Sequence, residues 1–194
     1  LPGLRIFRSL RPPFMTRIGI GPSWKKAVLD VAVAGTATRR ALTRRYDAIH
    51  SHEEGSWFGV LIAAMLGVPH LYDMHSSLPQ QLSNFSFSQS RLLAGTFAWL
   101  ERFVVRHSRV VVVICPHLAE VVREIEPAVP AILIENAPGS GDAPVAGSGE
   151  RIRCELGLAS AAPIVLYTGT FEAYQGLDLL FAAARYVLDA HADA

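Results

Sequence analysis

Residues 46–75 read YDAIHSHEEGSWFGVLIAAMLGVPHLYDMH and contain one strand–helix–strand repeat. The pattern predicts a strand at 46–52, an apolar helix that ends at Leu66 with Gly67 as its stop, and a second strand at 69–75. A parallel pair of strands needs a crossover of this kind. The stretch therefore predicts an α/β fold.

The same alternation extends to both sides of this stretch. It predicts further strands at 4–7, 110–114 and 131–135, and helices at 23–45 with Ser23 as its cap, at 92–106, and at 116–126 with Pro116 in its first turn. Apolar strands that alternate with helices indicate a parallel sheet covered on both faces, which is the doubly wound, Rossmann-like architecture. Ligands of such domains bind at the carboxyl ends of the strands.

A stretch rich in Gly, Ser and Pro divides the chain. We predict an N-terminal domain at 1–137, a linker at 138–150 and the start of a second domain at 151–194. The second domain is predicted to hold a helix at 151–156, a strand at 164–168 and a helix at 177–188. One strand and one helix cannot bury a core, so we expect this domain to be truncated. The first residue is not Met, and we expect the natural start to lie upstream.

Composition limits the class of protein. Hydrophobic residues make up 51% and charged residues 18% of the chain, which excludes a disordered protein. No apolar run reaches the length of about 18 residues that a spanning helix needs. The two cysteines form neither a disulfide framework nor a metal-binding motif. These features predict a cytoplasmic protein.

Positive charge is concentrated at the start of the chain. Residues 1–45 contain ten Lys or Arg and one acidic residue, Asp30. Such a region can contact anionic lipid headgroups or nucleic acid. It lacks the aromatic residues and the motifs typical of nucleic-acid-binding domains. We therefore expect peripheral contact with the inner face of a membrane, and no nucleic-acid partner.

Polar side chains gather where the two strands of residues 46–75 end. His50, His52 and Glu53 close the first strand, and His75 closes the second. The carboxyl ends of parallel strands share one edge of the sheet, so these side chains are expected to meet. An imidazole there can donate to a substrate hydroxyl or phosphate, and a carboxylate can fix its tautomer.

Two other interpretations fit the same histidines. His50, His52 and His75, with Asp73 nearby, also fit the centre of a metal-dependent hydrolase. Alternatively, they are hydrogen-bonded histidines at strand ends with a structural role only.

A second candidate site follows the strand predicted at 164–168. Gly169, Thr170 and Gln175 lie in the turn that leads to the last helix. Backbone amides at a helix N-terminus suit a phosphate, although a plain strand–helix connection would have the same sequence pattern.

The order of these motifs resembles the GT-B glycosyltransferases of family 4 over nearly the whole chain. The segments that carry the resemblance are YDAIHSHEEGSWFG, PHLYDMHSS, RVVVVICPHLAEVV, ILIENAP and IVLYTGTFEAYQGLDLL. It implies a hexosyltransferase-like enzyme that moves a sugar from a nucleotide-sugar to a glycan or lipid-linked acceptor. The implied transfer retains the anomeric configuration and needs no metal or other cofactor.

The resemblance also implies roles for individual residues. His75 corresponds to the catalytic histidine beside the transferred sugar. His52, Glu53 and Ser76 correspond to the acceptor side of the cleft, and Asn136 to the Asn that follows the first domain's last strand.

On the donor side the resemblance points to Gly169, Thr170 and Gln175. The family commonly has Arg and Lys where this chain has Thr170 and Gln175, so two cationic contacts to the diphosphate are missing. A non-catalytic module is therefore a further alternative. The family's glycine-rich loop and paired-glutamate motif are expected outside residues 1–194, and we expect these residues alone to be inactive.

Overall fold

The computed structural model describes residues 3–10, 24–77, 79–80, 91–137, 147–171 and 175–190. The chain forms two compact units, Leu1–Asn136 and Ala137–Ala194. The predicted cap Ser23, most of the predicted linker and residues 172–174 of the predicted donor turn lie outside the described residues.

Helices and strands alternate in the first unit, as the sequence predicted. The elements are α1 (Trp24–Thr43), β1 (Ile49–His52), a 3-10 helix (Glu53–Gly55), α2 (Ser56–Leu66), β2 (His70–Met74), α3 (Arg91–His107), β3 (Val110–Val113), α4 (Pro116–Ile125) and β4 (Ala131–Leu133). Two predicted helix ends are confirmed. Gly67 ends α2 in the left-handed conformation with φ 67°, and Pro116 occupies the first turn of α4.

The four strands form one parallel sheet in the order β1-β2-β3-β4. Each connection between neighbouring strands contains a helix, because parallel strands cannot be joined by a tight turn. The predicted fold class, an α/β Rossmann-like architecture with a parallel sheet flanked by helices, is confirmed.

The core lies between the sheet and the helices α2, α3 and α4. Alternate strand residues point to opposite faces, and the residues of β2 and β3 that face these helices are buried. Tyr72, Met74, Val111 and Val113 supply this face of β2 and β3. They form one cluster with helix residues Val60, Val104, Val105, Leu118, Ala119 and Val122. The other face carries His50, His52 and Asp73, which are only partly buried or exposed.

Two predicted strands are wrong. Neither residues 4–7 nor residues 164–168 form a strand in the structure. A strand needs a neighbour to accept and donate its ladder hydrogen bonds, and neither segment pairs with one among the described residues. Phe7 instead lies against the Arg40 guanidinium, whose Cζ is 3.7 Å from the ring centroid.

The described part of the second unit contains two helices, α5 (Ser148–Glu155) and α6 (Leu177–Ala190). Arg153 donates hydrogen bonds to the carbonyl oxygens of Ala159 and Ala162, at 3.2 and 2.6 Å, and so holds the turn after α5. None of the described residues of α6 is buried. In the part of the chain that the structure describes, no helix is long and apolar enough to cross a membrane.

Candidate functional site

Three histidines and one aspartate converge at the carboxyl end of β1 and β2. The Asp73 carboxylate lies between two of them, with Oδ1 3.3 Å from His75 Nε2 and Oδ2 3.6 Å from His50 Nε2. The rings of His52 and His75 meet edge to face, with centroids 4.4 Å apart. We call His50, His52, Asp73 and His75 the histidine cluster.

Strand geometry explains why these residues meet. Residues two apart on a strand point to the same face, which pairs His50 with His52 along β1 and Asp73 with His75 along the neighbouring chain segment. The parallel register then sets His52 opposite Asp73. The predicted convergence of His50, His52 and His75 is therefore observed.

Glu53 fixes the backbone that carries His75. One Glu53 oxygen, Oε1, accepts the backbone N–H of His75 at 3.2 Å. The Ser76 hydroxyl lies 3.2 and 3.1 Å from the two carboxylate oxygens and donates to them. Glu53 itself has φ 48°, a left-handed conformation that residues with a Cβ rarely adopt. Such strained residues cluster at functional sites, so this backbone supports a functional role for the loop.

A second carboxylate, that of Glu101, anchors the loop that follows β2. The Ser77 hydroxyl donates to Glu101 Oε1 at 3.2 Å, and both residues are buried. Sequence analysis missed this pair. Its signal is the single carboxylate among the apolar residues in the second half of α3, which reads WLERFVV at 99–105. A buried carboxylate needs partners, so Glu101 predicts a polar contact inside the domain.

The buried Tyr72 also borders these carboxylates. Burial raises the pKa of the Tyr72 phenol, and the negative charges of Glu53 and Glu101 raise this pKa further. The phenol is therefore neutral at physiological pH and adds no charge to the site.

A cavity of about 390 Å³ opens beside the histidine cluster, between α1 and β1. Its volume lies within the range of small-molecule sites. Its walls include Arg40, His50, His52 and Phe58. His50 and His52 thus belong both to the cluster and to the cavity wall, and Arg40 supplies a cation at the same place.

A fourth histidine, His70, is structural. Its Nε2 lies 2.6 Å from Ser51 Oγ and its Nδ1 lies 2.8 Å from Ser108 Oγ. The Ser108 hydroxyl donates its only proton to the carbonyl oxygen of Val104, so it must accept from Nδ1–H. Ser51 then donates to Nε2, and the ring is neutral. Burial, with the nearby charge of His50, lowers the pKa of His70 to about 4.

The predicted donor residues lie in the second unit. The Tyr167 hydroxyl donates to the carbonyl oxygen of Thr170 at 2.7 Å and closes the turn around Gly169. A Cβ at Gly169 would lie 2.6 Å from the Tyr167 hydroxyl oxygen, so a larger residue there would displace the Tyr167 side chain. Gln175 is exposed and directly precedes Gly176 and α6. His52, Glu53, His75 and Ser76 are together in the first unit.

A parallel α/β domain of this kind is Rossmann-like, and domains of this class bind ligands at the carboxyl edge of their strands. Its particular family follows from the sequence. Residues 4–137 match the family described as Glycosyl transferase 4-like domain. The match covers more than half of the chain, so the protein belongs to this family, and its function is of the glycosyltransferase type. No curated protein matches the sequence significantly.

Proposed function

We propose that the chain carries the acceptor-side domain of a retaining hexosyltransferase that moves a sugar from a nucleotide-sugar to a glycan or lipid-linked acceptor. The observation that carries this proposal is the anchoring of His75. Its ring pairs with Asp73 and its backbone N–H is bound by Glu53, at the ligand edge of a domain from a glycosyltransferase family.

His75 is the proposed catalytic residue beside the transferred sugar. An Nε2–H donated to Asp73 leaves Nδ1 as an acceptor for a sugar hydroxyl, which orients the sugar for transfer. Glu53 acts as a positioning residue, since its carboxylate holds the His75 backbone. His52 and Ser76 face the acceptor in this proposal, and the adjacent cavity takes part of it.

The donor side is proposed to bind the diphosphate without cationic side chains. Gly169, Thr170 and Gln175 precede α6, whose N-terminal amides suit an anion. Because none of the described residues of α6 is buried, we propose that residues 1–194 alone do not catalyse transfer. Turnover by the purified 194-residue chain would contradict this.

The activity is tested with the full-length protein that contains this chain. The protein is incubated with a panel of nucleotide-sugars and acceptors, and the products are identified by mass spectrometry. Transfer is expected to continue in EDTA, and NMR of the product is expected to show retention. His75→Ala is expected to lower kcat about 100-fold or more. His107→Ala, at the opposite edge of the sheet, is the control and should leave kcat unchanged.

The same experiment separates the alternatives. Membership of a glycosyltransferase family favours transfer over the metal-dependent hydrolase that His50, His52 and His75 also fit. Loss of all activity in EDTA, or inversion in the product, would contradict the proposal. Absence of transfer with every donor and acceptor would support the non-catalytic module.

A peripheral membrane location at the cytoplasmic face is proposed from the charge of residues 1–45. Within the described part, α1 carries Lys25, Lys26, Arg39 and Arg40, and exposes Trp24. Anionic vesicles should therefore pull down the protein at low salt and release it at high salt. Equal binding to neutral vesicles, or binding that salt does not change, would contradict the electrostatic contact.

A further inference from the structure

We propose that His52, Asp73 and His75 form a binding site for one zinc ion. Each residue offers one ligand atom, and these atoms all lie within 4.8 Å of one another. The inference concerns binding only, and it does not rest on the proposed transfer reaction.

The chemistry of the three side chains favours divalent transition metals, and zinc is the one that we propose. Two imidazole nitrogens and one carboxylate oxygen, with a fourth position open to water, are a typical set of zinc ligands. Mg²⁺ and Ca²⁺ prefer oxygen ligands and so fit this set poorly.

The distances are close to those that an ion needs. Two ligand atoms bound to tetrahedral zinc lie about 3.3–3.4 Å apart, given bonds of about 2.0–2.1 Å. The atoms Asp73 Oδ1 and His75 Nε2 are already 3.3 Å apart. The His52 side chain is exposed, so its ring can rotate towards the other two ligands without disturbing the core.

Neighbouring groups support the ligands. Glu53 holds the His75 backbone through a hydrogen bond of 3.2 Å and so restricts the position of this ligand. His50, 3.6 Å from Asp73, is a third imidazole on the same face and can replace the water. The register of two parallel strands therefore creates a His-x-His segment beside an Asp-x-His segment.

Zinc at this site would occupy the His75 ring. If His75 orients the sugar, bound zinc would inhibit transfer and would not assist it. The ion is thus distinct from a cofactor of the proposed metal-independent reaction.

The test is a calorimetric titration of the metal-free 194-residue chain with ZnCl₂. No nucleotide-sugar and no acceptor are present. We expect one equivalent of Zn²⁺ to bind. His52→Ala, Asp73→Asn and His75→Ala are each expected to weaken binding about tenfold or more. The control His107→Ala also removes an exposed histidine, but far from the cluster, and it should bind zinc like the unchanged chain.

Two further measurements make the result decisive. Circular dichroism checks that each variant is folded, and the exposed His52 gives the variant least expected to disturb the core. Co²⁺ reports coordination directly, because tetrahedral ligation is expected to give intense visible absorption that His52→Ala abolishes. Absence of zinc binding by the unchanged chain would overturn the proposal. So would folded His52→Ala and His75→Ala variants that bind zinc as tightly as the unchanged chain. Failure of transfer in the separate assay would leave the zinc result unaffected.

Discussion

At the scale of the residue, the site depends on one unusual backbone conformation. Glu53 follows β1 directly and adopts φ 48°, which lets its side chain reach the loop after β2. The carboxylate then binds the backbone of His75 and the hydroxyl of Ser76. Contacts of this kind with a charged acceptor contribute about 1.5–3 kcal/mol each and offset the cost of the strained conformation.

Replacing Glu53 separates the contribution of its carboxylate contacts from the cost of its positive φ. Glu53→Ala and Glu53→Gly both remove the carboxylate, and both are expected to lower the free energy of unfolding. The glycine variant should be the more stable of the two by about 1 kcal/mol, because it adopts a positive φ without a Cβ penalty. Urea denaturation measures the difference. An alanine variant as stable as the unchanged chain would contradict the anchoring role.

At the scale of the element, close packing joins α2 to the sheet. Gly59 lies in the first half of α2, and a Cβ there would be 2.7 Å from Ser51 Cβ and 3.3 Å from His70 Nε2. The same contact region contains the hydrogen bonds by which His70 joins β1 and β2 to Ser108, directly after α3. The close approach of α2 to β1 and to the His70 hydrogen bonds therefore depends on the absence of a Cβ at Gly59.

Gly59→Ala is expected to destabilise the first unit by about 1–3 kcal/mol, because the methyl group overpacks against Ser51. Gly35→Ala is the matched control, since Gly35 is in the interior of α1 with open space around its Cβ position. This variant should be neutral or more stable by up to about 1 kcal/mol. Chemical denaturation of both variants checks the prediction. An equal change in the free energy of unfolding for Gly59→Ala and Gly35→Ala would contradict the predicted overpacking at Gly59.

The buried network also predicts a pH dependence. His70 has a pKa of about 4 in the folded protein, below the ordinary value of 6.5, so the unfolded chain binds the proton more readily. Its stabilising contribution is complete above about pH 6.5 and is lost as the pH falls towards about 4. The slope attributable to His70 is at most about 1.4 kcal/mol per pH unit.

His70→Gln provides the comparison for this pH dependence. The glutamine cannot titrate, so the free energy of unfolding of this variant should fall less steeply between pH 6.5 and pH 4 than that of the unchanged chain. Urea unfolding at several pH values measures both slopes. Parallel slopes would mean that His70 does not determine the acid sensitivity.

At the scale of the whole molecule, the two units differ in how much they bury. The core cluster of the first unit lies entirely between Val60 and Val122. In the second unit, α6 buries none of its described residues and exposes Leu179, Phe181 and Tyr186. The first unit therefore has the buried core that an independently stable domain needs, whereas the described part of α6 contributes no buried residue to the second unit.

Residues 1–136 alone are expected to unfold cooperatively, with a midpoint within a few degrees of the main transition of the 194-residue chain. Residues 137–194 alone should show no cooperative transition, because the last helix buries none of its described residues. Thermal melts followed by circular dichroism test both statements. A cooperative transition in residues 137–194, or its absence in residues 1–136, would contradict them.

Sequence patterns correctly predicted the helices and the paired strands of the first unit but failed for isolated strands. The five-residue apolar run that begins at Val110 and the cap at Gly67 each have a local cause, and both gave correct elements. The segments at 4–7 and 164–168 have a strand-like composition, yet a strand exists only with a partner. That partner is a tertiary fact that composition does not contain.

The sequence by itself determined the α/β alternation, the family and the meeting of His50, His52 and His75, because helix and strand periodicity and the edge of a parallel sheet follow from local pattern. Only the tertiary structure decided which groups pair. The register set His52 opposite Asp73, the strained Glu53 reached the backbone of His75, and Glu101 met Ser77. These contacts join residues distant in the chain, and their distances depend on how the elements pack.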